Sequence, residues 1–238
     1  MESLSGKVAI VTGGTRGIGR AIAGRLLREG ASVAICGRSQ ESVSRAVHEM
    51  STLGQVFGHP TDVTDAGHVN GFFRAVEQHF GRLDILVNNA GLGVFAKVAQ
   101  MTPEDWRRNI DVNLNGPFYC SREALARFGE RGGFIVNISS LAGKNAFSGG
   151  AGYNAAKSGL NLFSEALLLD HRHDSVRVCY IMPGSVATEF AAGPFDRSGD
   201  TSWMIAPEDV ADVVVMVLTM PSRTMVSRVE MRPSRPRK

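Results

Sequence analysis

The chain has 238 residues, of which 43% are hydrophobic and 21% charged, proportions typical of a folded globular protein. Wholesale disorder is therefore excluded, and the longest apolar run, residues 213–218, falls well short of the roughly 20 residues that a membrane helix needs. The net charge of +3 comes from the basic C-terminal end, where residues 231–238 form a short tail that we expect to be solvated. We therefore predict no membrane or nucleic-acid partner. The three widely spaced cysteines, Cys36, Cys120 and Cys179, predict reduced thiols in a cytoplasmic protein.

Short β-branched runs alternate with longer amphipathic stretches along the whole chain. The predicted strands cover residues 8–12, 32–36, 55–59, 85–88, 133–138, 176–181 and 225–230, and the predicted helices cover residues 17–29, 40–53, 66–80, 102–131, 153–171 and 207–218. Strands that are apolar on both faces, such as residues 8–11, are typical of a parallel sheet that helices cover on both sides. We therefore predict one α/β domain over residues 1–238, with a doubly wound, seven-stranded parallel sheet flanked by helices on both faces.

One irregular segment, residues 187–206, contains Gly193, Pro194 and Gly199. It follows a predicted strand, and a long loop in that position of an open α/β sheet typically covers a ligand. We expect this segment to be a substrate lid.

The first predicted strand runs directly into a glycine-rich turn, residues 12–19, with the sequence Thr-Gly-Gly-Thr-Arg-Gly-Ile-Gly, and then into a helix. The glycines follow the pattern G-x-x-x-G-x-G, and no Gly-Lys-Ser/Thr follows them, so the turn is not a P-loop. Glycines in such a turn let an anionic pyrophosphate approach the backbone N–H groups at the helix N-terminus. A plain glycine-rich turn between a strand and a helix is the alternative.

Two further motifs lie close to the ends of predicted strands. Residues 88–91, Asn-Asn-Ala-Gly, end the fourth strand at the edge where open α/β sheets bind ligands, although paired asparagines also form turns. Tyr153 and Lys157 are four residues apart, which places a phenol and an ammonium on one face of a helix. A cation beside a phenol lowers the pKa of the phenol, and Ser140, just past the fifth strand, is placed to reach the same point.

The ordered motifs T-G-x-x-x-G-x-G, N-N-A-G, N-I-S-S, Y-x-x-x-K and P-G together resemble those of the short-chain dehydrogenase/reductase family, from residue 7 to about residue 230. The resemblance implies a Rossmann fold that binds a nicotinamide cofactor. It implies that Tyr153 is the general acid, that Lys157 lowers its pKa and binds the cofactor ribose, and that Ser140, or its neighbour Ser139, holds the substrate oxygen. Asn113 completes the implied catalytic set, because its backbone helps seat a water that links Lys157 to solvent.

The resemblance also implies a set of cofactor-binding residues. Asp62 and Val63 match the pair that binds adenine, and Pro183, Gly184 and Thr188 match the segment that lines the nicotinamide. With Tyr153 and Lys157, the full set is Gly13, Thr15, Arg16, Gly17, Ile18, Gly19, Gly37, Arg38, Asp62, Val63, Asn89, Ala90, Gly91, Pro183, Gly184, Val186 and Thr188.

Charge near the end of the second predicted strand indicates which nicotinamide cofactor is bound. Sites that prefer NAD place a carboxylate there, on the ribose 2′-hydroxyl, whereas residues 34–39 contain no acid. A 2′-phosphate would meet no repulsion here and could pair with Arg38 and Arg16, whose guanidinium groups suit phosphate. Either arginine could equally be an ordinary surface residue, but the missing acid and the two bases together favour NADP(H).

These observations predict an NADPH-dependent oxidoreductase that reversibly reduces the carbonyl of a ketone or aldehyde to an alcohol. One alternative is a 3-oxoacyl-carrier-protein reductase, but many relatives of that kind end in a strand followed by Asp-Gly-Gly, and this chain continues with Met231-Arg232-Pro233 instead. Another is a non-catalytic NADP(H)-binding sensor or scaffold, which would have no chemical reason to keep Ser140, Tyr153 and Lys157. A third is nucleic-acid binding through the basic tail.

Aromatic residues give the only indication of the substrate. Phe190, Phe195 and Trp203 lie in the lid, and Phe95 and Phe147 lie in loops that could reach the same site. They favour a small apolar carbonyl compound, but they could equally serve only to pack the lid.

Two more features bear on metals and assembly. His171 and His173 could ligate a metal, but no third ligand lies nearby in the sequence, so we predict no metal site. The predicted helices 102–131 and 153–171 carry more apolar positions than one sheet face can cover, and relatives pair these helices across a two-fold axis. We therefore predict a homo-oligomer, a tetramer or a dimer, that buries Phe118, Tyr119, Leu125, Phe128, Leu160, Leu162, Phe163 and Leu167.

Overall fold

The computed structural model of the chain describes residues 2–190 and 200–236. Within these residues, the strands are β1 (Val8–Thr12), β2 (Ser32–Gly37), β3 (Val56–Pro60), β4 (Ile85–Asn88), β5 (Gly133–Ile138), β6 (Val176–Pro183) and β7 (Arg228–Met231). The α-helices are α1 (Gly17–Arg28), α2 (Gln40–Met50), α3 (Ala66–Phe80), α4 (Pro103–Ile110), α5 (Gly116–Phe128), α6 (Ala151–His171) and α7 (Pro207–Leu218).

All seven strands form one parallel sheet in the order β3-β2-β1-β4-β5-β6-β7. The chain winds outward from β1 in one direction through β2 and β3, and in the other direction from β4 to β7. In such a sheet the strand order reverses between β1 and β4, and a crevice opens there at the carboxyl ends of the strands. The predicted doubly wound α/β fold is confirmed.

Apolar side chains form one core on each face of the sheet. On one face α1, α2 and α7 pack through residues such as Ile22, Met50 and Val214, and on the other α3, α5 and α6 pack through residues such as Phe72. Leu160 of α6 is also fully buried. Phe128, Leu160 and Leu167, which the sequence analysis assigned to an interface between copies, therefore belong to the core of this chain. The spacing of apolar residues along a helix does not show which of them pack against the sheet of the same chain and which face outward.

Helix boundaries follow from local chemistry. The side chain of Thr102 caps α4 by accepting a hydrogen bond from the N–H of Asp105 at 3.1 Å, and Pro103 is the first helical residue. Gly81 ends α3 with a φ of 74°, a left-handed conformation that glycine adopts without strain.

The predicted helix over residues 102–131 is interrupted. A π-helical turn, Asp111–Asn115, separates α4 from α5, and a 3₁₀ turn, Gly129–Arg131, follows α5. Pro117 explains the irregularity, because it has no N–H to donate to the carbonyl of Asn113 one turn earlier. The helix therefore widens at this point, and π-turns of this kind are frequent at functional sites.

Several predicted boundaries are also displaced. Strand β6 extends to Pro183, two residues further than predicted, and β7 covers Arg228–Met231 instead of residues 225–230. The register of β6 explains both, since Tyr180 pairs with Arg228 and Pro183 with Met231. Helix α6 begins at Ala151, two residues before the predicted start.

The base of the predicted lid is fixed by backbone pairing. Val186 and Ile205 form a parallel β-bridge, and the N–H of Ala187 donates to the carbonyl of Ile205 at 2.9 Å. Gly193, Pro194, Phe195 and Gly199 lie outside the described residues, as do the last two residues of the basic tail. Among the residues that are described, no helix is long and apolar enough to cross a membrane.

Candidate active site

The predicted site residues converge on one edge of the sheet. The first group occupies the turn from β1 into α1, and the others follow the carboxyl ends of β2, β3, β4, β5 and β6. Because these strands are parallel, all of their carboxyl ends lie at the same edge. The tertiary structure therefore brings together residues that are up to 175 positions apart in the sequence, Gly13 and Thr188 among them.

The glycine-rich turn leaves the N-terminus of α1 open. Arg16 precedes the helix without a side-chain cap, and the first turn of α1 contains no acidic residue. Gly13 and Gly17 have φ values of 64° and 53°, and a Cβ atom on Gly19 would lie 2.3 Å from the carbonyl oxygen of Gly13. The backbone thus folds tightly enough to leave helix N–H groups without a protein acceptor, and these favour an anion such as a pyrophosphate.

Hydrogen bonds hold this turn to the residues that follow β4. They were not predicted from the sequence. The hydroxyl oxygen of Thr12 accepts from the N–H groups of Asn89 and Ala90, each at 3.0 Å, and the side-chain amide of Asn89 donates to the carbonyls of Thr12 and Gly13. Thr12 is the first residue of the glycine-rich turn, and that position is the feature of the sequence from which its role could have been predicted. Asn89 and Ala90 therefore orient the turn.

The end of β2 presents arginine where an acid would favour NAD. Arg38 is exposed and forms no ion pair with any described residue, and a Cβ on Gly37 would lie 2.8 Å from the Thr15 side chain. Arg16 is different, because it forms an ion pair with Glu189, in the segment that follows β6. No sequence pattern indicates this pairing, since the two residues belong to distant segments.

The residues after β3 form a tight turn. The carboxylate of Asp62 accepts from both the N–H and the hydroxyl of Thr64, at 3.0 and 2.8 Å. Val63 packs beside Gly116, where a Cβ would lie 3.1 Å from the Val63 side chain. Both residues lie at the carboxyl edge of the sheet, next to the end of β2.

Tyr153, Ser140 and Lys157 meet between β5 and α6. The hydroxyl of Ser140 lies close enough to the phenol of Tyr153 to lower its pKa, and the ammonium of Lys157 donates to the carbonyl of Ile138 at 2.9 Å. Ser139 is occupied elsewhere, because its hydroxyl donates to the side chain of Asn161. The geometry thus favours Ser140 over Ser139 beside the phenol.

Burial opposes ionisation of both titratable groups in this trio. It raises the pKa of Tyr153 to about 12, partly offset by the hydrogen bond from Ser140, and it lowers the pKa of Lys157 to about 8. Desolvation is the largest cause of both shifts, and a role for Lys157 in lowering the pKa of the phenol stays a prediction.

Asn113 anchors the loop after β4 from the π-helical turn. Its side chain donates to the carbonyl of Leu92 at 2.8 Å and accepts from the N–H of the same residue at 3.3 Å. Asn109, one turn earlier, holds Val94 in the same way. A Cβ on Gly91 would lie 3.0 Å from the side chain of Asn113 and 3.8 Å from the ammonium of Lys157. Asn113 thus lies close to Ser140, Tyr153 and Lys157. Asn109 is a positioning residue, and its spacing of four residues from Asn113 could have revealed it.

The segment after β6 crosses the same edge. Pro183 ends the strand, and the N–H of Gly184 donates to the carbonyl of Met231 in β7 at 2.9 Å. Val186 is buried, and a Cβ on Gly17 would touch the methyl of Thr188 at 3.4 Å. Thr188 therefore faces the glycine-rich turn across the crevice, beside the Arg16–Glu189 pair.

The two histidines considered as metal ligands lie away from this site. His171 forms a hydrogen bond with Asp174 at 2.9 Å at the C-terminal end of α6. No group of three or more potential metal ligands occurs among the described residues.

Comparison with known proteins identifies the family. A family model described as short chain dehydrogenase matches residues 7–197. An uncharacterised oxidoreductase of Staphylococcus aureus (strain USA300) is 34% identical over 236 residues, covering 98% of this chain and all of the relative.

Solved structures agree in fold. An alcohol dehydrogenase from the archaeon Thermococcus sibiricus, complexed with 5-hydroxy-NADP, superposes with a TM-score of 0.89 at 30% identity, covering 98% of this chain and 99% of that one. A metagenomic short-chain oxidoreductase in complex with NADP gives 0.85 at 36% identity, covering 99% of this chain and all of that one. With the motifs in order and the fold shared over the whole length, the chain belongs to the short-chain dehydrogenase/reductase family of oxidoreductases.

Proposed function

We propose that the protein is an NADP(H)-dependent carbonyl reductase, which converts a ketone or aldehyde reversibly into an alcohol. The observation that carries the proposal is the meeting of Ser140, Tyr153 and Lys157 beside the open N-terminus of α1. A proton donor and an anion site at one sheet edge suit a reaction in which a dinucleotide and a small substrate lie side by side.

The residues present fit a dinucleotide with a 2′-phosphate. The uncapped N-terminus of α1 suits the pyrophosphate, and Arg38, at the end of β2, is exposed and not ion-paired to any described residue, so its guanidinium suits the extra phosphate. Asp62, Val63, Asn89, Ala90, Gly91 and the residues from Pro183 to Thr188 line the rest of the proposed site. Two relatives of similar fold were solved with NADP or a modified NADP, which supports the same cofactor here.

Ser140, Tyr153 and Lys157 are the residues that we propose take part in the reaction. NADPH, when bound, supplies the hydride that the carbonyl carbon accepts. The hydroxyl of Ser140 holds the carbonyl oxygen, and the phenol of Tyr153 gives that oxygen its proton, so that one hydride and one proton yield the alcohol. A pKa of about 12 keeps the phenol protonated at neutral pH, as a proton donor requires. Lys157, whose ammonium lies 5.8 Å from the centre of the Tyr153 ring, is the group that we propose restores the proton, and Asn113 holds the neighbouring loop.

The assembly is part of the proposal. Phe118 of α5 and Leu162 and Leu169 of α6 are 46%, 70% and 61% exposed, and the ring of Phe118 lies 6.2 Å from that of Phe163. These helices thus present one continuous apolar face, which a second copy would bury. We propose a dimer through this face, either as the final state or as half of a tetramer.

The state of the three cysteines bears on the cellular compartment that we propose for the protein. Cys36, Cys120 and Cys179 are all buried and unpaired, and burial raises the pKa of Cys36 to about 12. Such thiols suit the reducing conditions of the cytoplasm, where we propose the enzyme works.

The test is oxidation of NADPH in the presence of a panel of ketones and aldehydes, followed by absorbance, with identification of the alcohol formed. We expect substrate-dependent oxidation that Tyr153→Phe slows by roughly two to four orders of magnitude. Tight NADPH binding with no turnover on any carbonyl compound would instead indicate a sensor or scaffold.

A further inference from the structure

Three phenylalanine rings gather around the proposed proton donor. The centroids of the Phe95 and Phe190 rings lie 5.7 and 5.8 Å from that of Tyr153, and Phe147 lies 5.7 Å from Phe95. The rings come from the loops after β4, β5 and β6, so only the tertiary structure brings them together. Phe190 is 47% exposed and the other two are half-buried, which means that the rings line a surface open to a ligand.

Gly93 allows two of these rings to converge. A Cβ at that position would lie 2.3 Å from the tip of the Phe95 ring and 3.0 Å from the tip of the Phe190 ring. Any larger residue would push the rings away from each other. The loop after β4 thus leaves room for an aromatic pair that reaches across the crevice.

The rings of Phe95 and Phe190 both pack against the phenol ring of Tyr153. The polar groups near the phenol among the described residues include the Ser140 hydroxyl and the ammonium of Lys157, and that ammonium is already hydrogen-bonded to the Ile138 carbonyl. A charged substrate group placed against the rings would lose its hydration without gaining hydrogen bonds from them, whereas an apolar group would not pay that cost. Rings at interplanar angles of 75° and 44° to the phenol offer edges and faces that suit another ring.

We infer that the substrate carbonyl carries an aryl group, and that Phe95, Phe147 and Phe190 are the residues that select it. This inference rests on the proposed function, since it names the substrate class of the same site. An aryl ketone would place its oxygen at Ser140 and Tyr153 and its ring among the three phenyl rings. A saturated ring of equal size would fill the same space without the aromatic pairing, which is worth roughly a two- to tenfold difference in binding.

Two ketones of matched size test the inference without turnover. Acetophenone and cyclohexyl methyl ketone are titrated by calorimetry into the full-length protein saturated with NADP⁺, a complex in which no reduction can occur. We expect acetophenone to bind at least about threefold more tightly. Phe190→Leu and Phe95→Leu keep an apolar side chain but remove the ring, so each should bring the ratio of the two dissociation constants close to one.

A control variant excludes a general effect of losing a phenylalanine. Phe118→Leu alters an exposed ring on α5, away from the Tyr153 cluster, and should leave the ratio unchanged. Equal binding of the two ketones by the unaltered protein would overturn the inference. So would an unchanged preference in both ring variants, or tighter binding of an acetoacetyl thioester than of either ketone, as a carrier-protein reductase requires.

Turnover separates this inference from the proposed function. The same ketones are supplied with NADPH, and the ratio of kcat/KM values is compared between the unaltered and variant proteins, which cancels the intrinsic reactivity of each carbonyl. Selective binding of acetophenone without any NADPH oxidation would refute the reductase and leave the ring selectivity standing. Turnover with the same ratio of kcat/KM values in the unaltered protein and in both ring variants would refute the selectivity and leave the reductase standing.

Discussion

Lys157 follows Tyr153 by one turn of α6, and its ammonium lies 5.8 Å from the centre of the Tyr153 ring. That ammonium donates a hydrogen bond to the Ile138 carbonyl. The two residues therefore share one helix face, and burial is the largest cause of the pKa shift of each group. The phenol stays neutral at physiological pH, a state that suits proton donation.

Removing the proton donor should separate catalysis from cofactor binding. Tyr153→Phe should lower turnover by roughly two to four orders of magnitude while leaving NADPH affinity nearly intact, because the phenol proton is needed only in the reaction. Tyr180→Phe is the matched control, since Tyr180 hydrogen-bonds Glu165 behind the site and should keep its activity. A Tyr153→Phe protein that retains most of its activity on a confirmed substrate would show that another group is the acid.

The buried lysine should make stability depend on pH in a defined window. The folded chain releases the Lys157 proton near pH 8, whereas the unfolded chain keeps it until near its ordinary pKa of 10.5. The unfolded state binds more protons between these values, so the stability of the unaltered protein should rise with pH there, by on the order of 3 kcal/mol. Denaturant unfolding at several pH values should show that rise lost in Lys157→Met and kept in Lys144→Met, a surface control. Parallel curves for the unaltered protein and Lys157→Met would contradict the pKa assignment.

Cofactor preference should respond to a carboxylate at the end of β2. Gly37→Asp should reduce the preference for NADPH over NADH by roughly tenfold, because its carboxylate would repel a 2′-phosphate. The added Cβ also meets the Thr15 side chain at 2.8 Å, so Gly37→Ala is the control for crowding and should weaken both cofactors alike. Dissociation constants from fluorescence titration measure the ratio. Equal constants for the two cofactors in the unaltered protein would refute the NADP(H) assignment.

The Arg16–Glu189 ion pair should compete with a 2′-phosphate. Both side chains are exposed, at 75% and 76%, so the pair is weak and its guanidinium is available to a bound anion. Glu189→Gln should tighten NADPH binding a few-fold and leave NADH binding unchanged, with the gain disappearing at high salt. Glu49→Gln, which breaks the exposed pair with Arg20, is the control. A similar gain for both cofactors would place Arg16 away from the 2′-phosphate.

A charge on the apolar helix face should prevent assembly. Leu162 is 70% exposed on α6, and Leu162→Glu should convert the proposed dimer or tetramer into smaller species by sedimentation at micromolar concentration. Met216→Glu places the same charge on α7, on the opposite side of the sheet, and should leave the assembly unchanged. A single species of about 25.5 kDa for the unaltered chain would refute the proposal.

Local sequence was sufficient for the fold and for the identity of the motifs. Continuous apolar runs predict buried parallel strands, and the glycine-rich turn between β1 and α1 and the four-residue spacing of Tyr153 and Lys157 depend only on near neighbours. The element boundaries that failed, at α4–α5 and at β7, were set by partners elsewhere or by a proline whose effect the periodicity masks.

The tertiary structure alone decided what surrounds those motifs. Which phenylalanines stand at Tyr153, which serine faces it, and which carboxylate pairs with Arg16 depend on loops that follow different strands and meet only because the sheet is parallel. The direction of the Tyr153 pKa was decided in the same way. A sequence gives the distance of a cation along a helix, but the depth of burial that opposes a charge comes from every element packed around it.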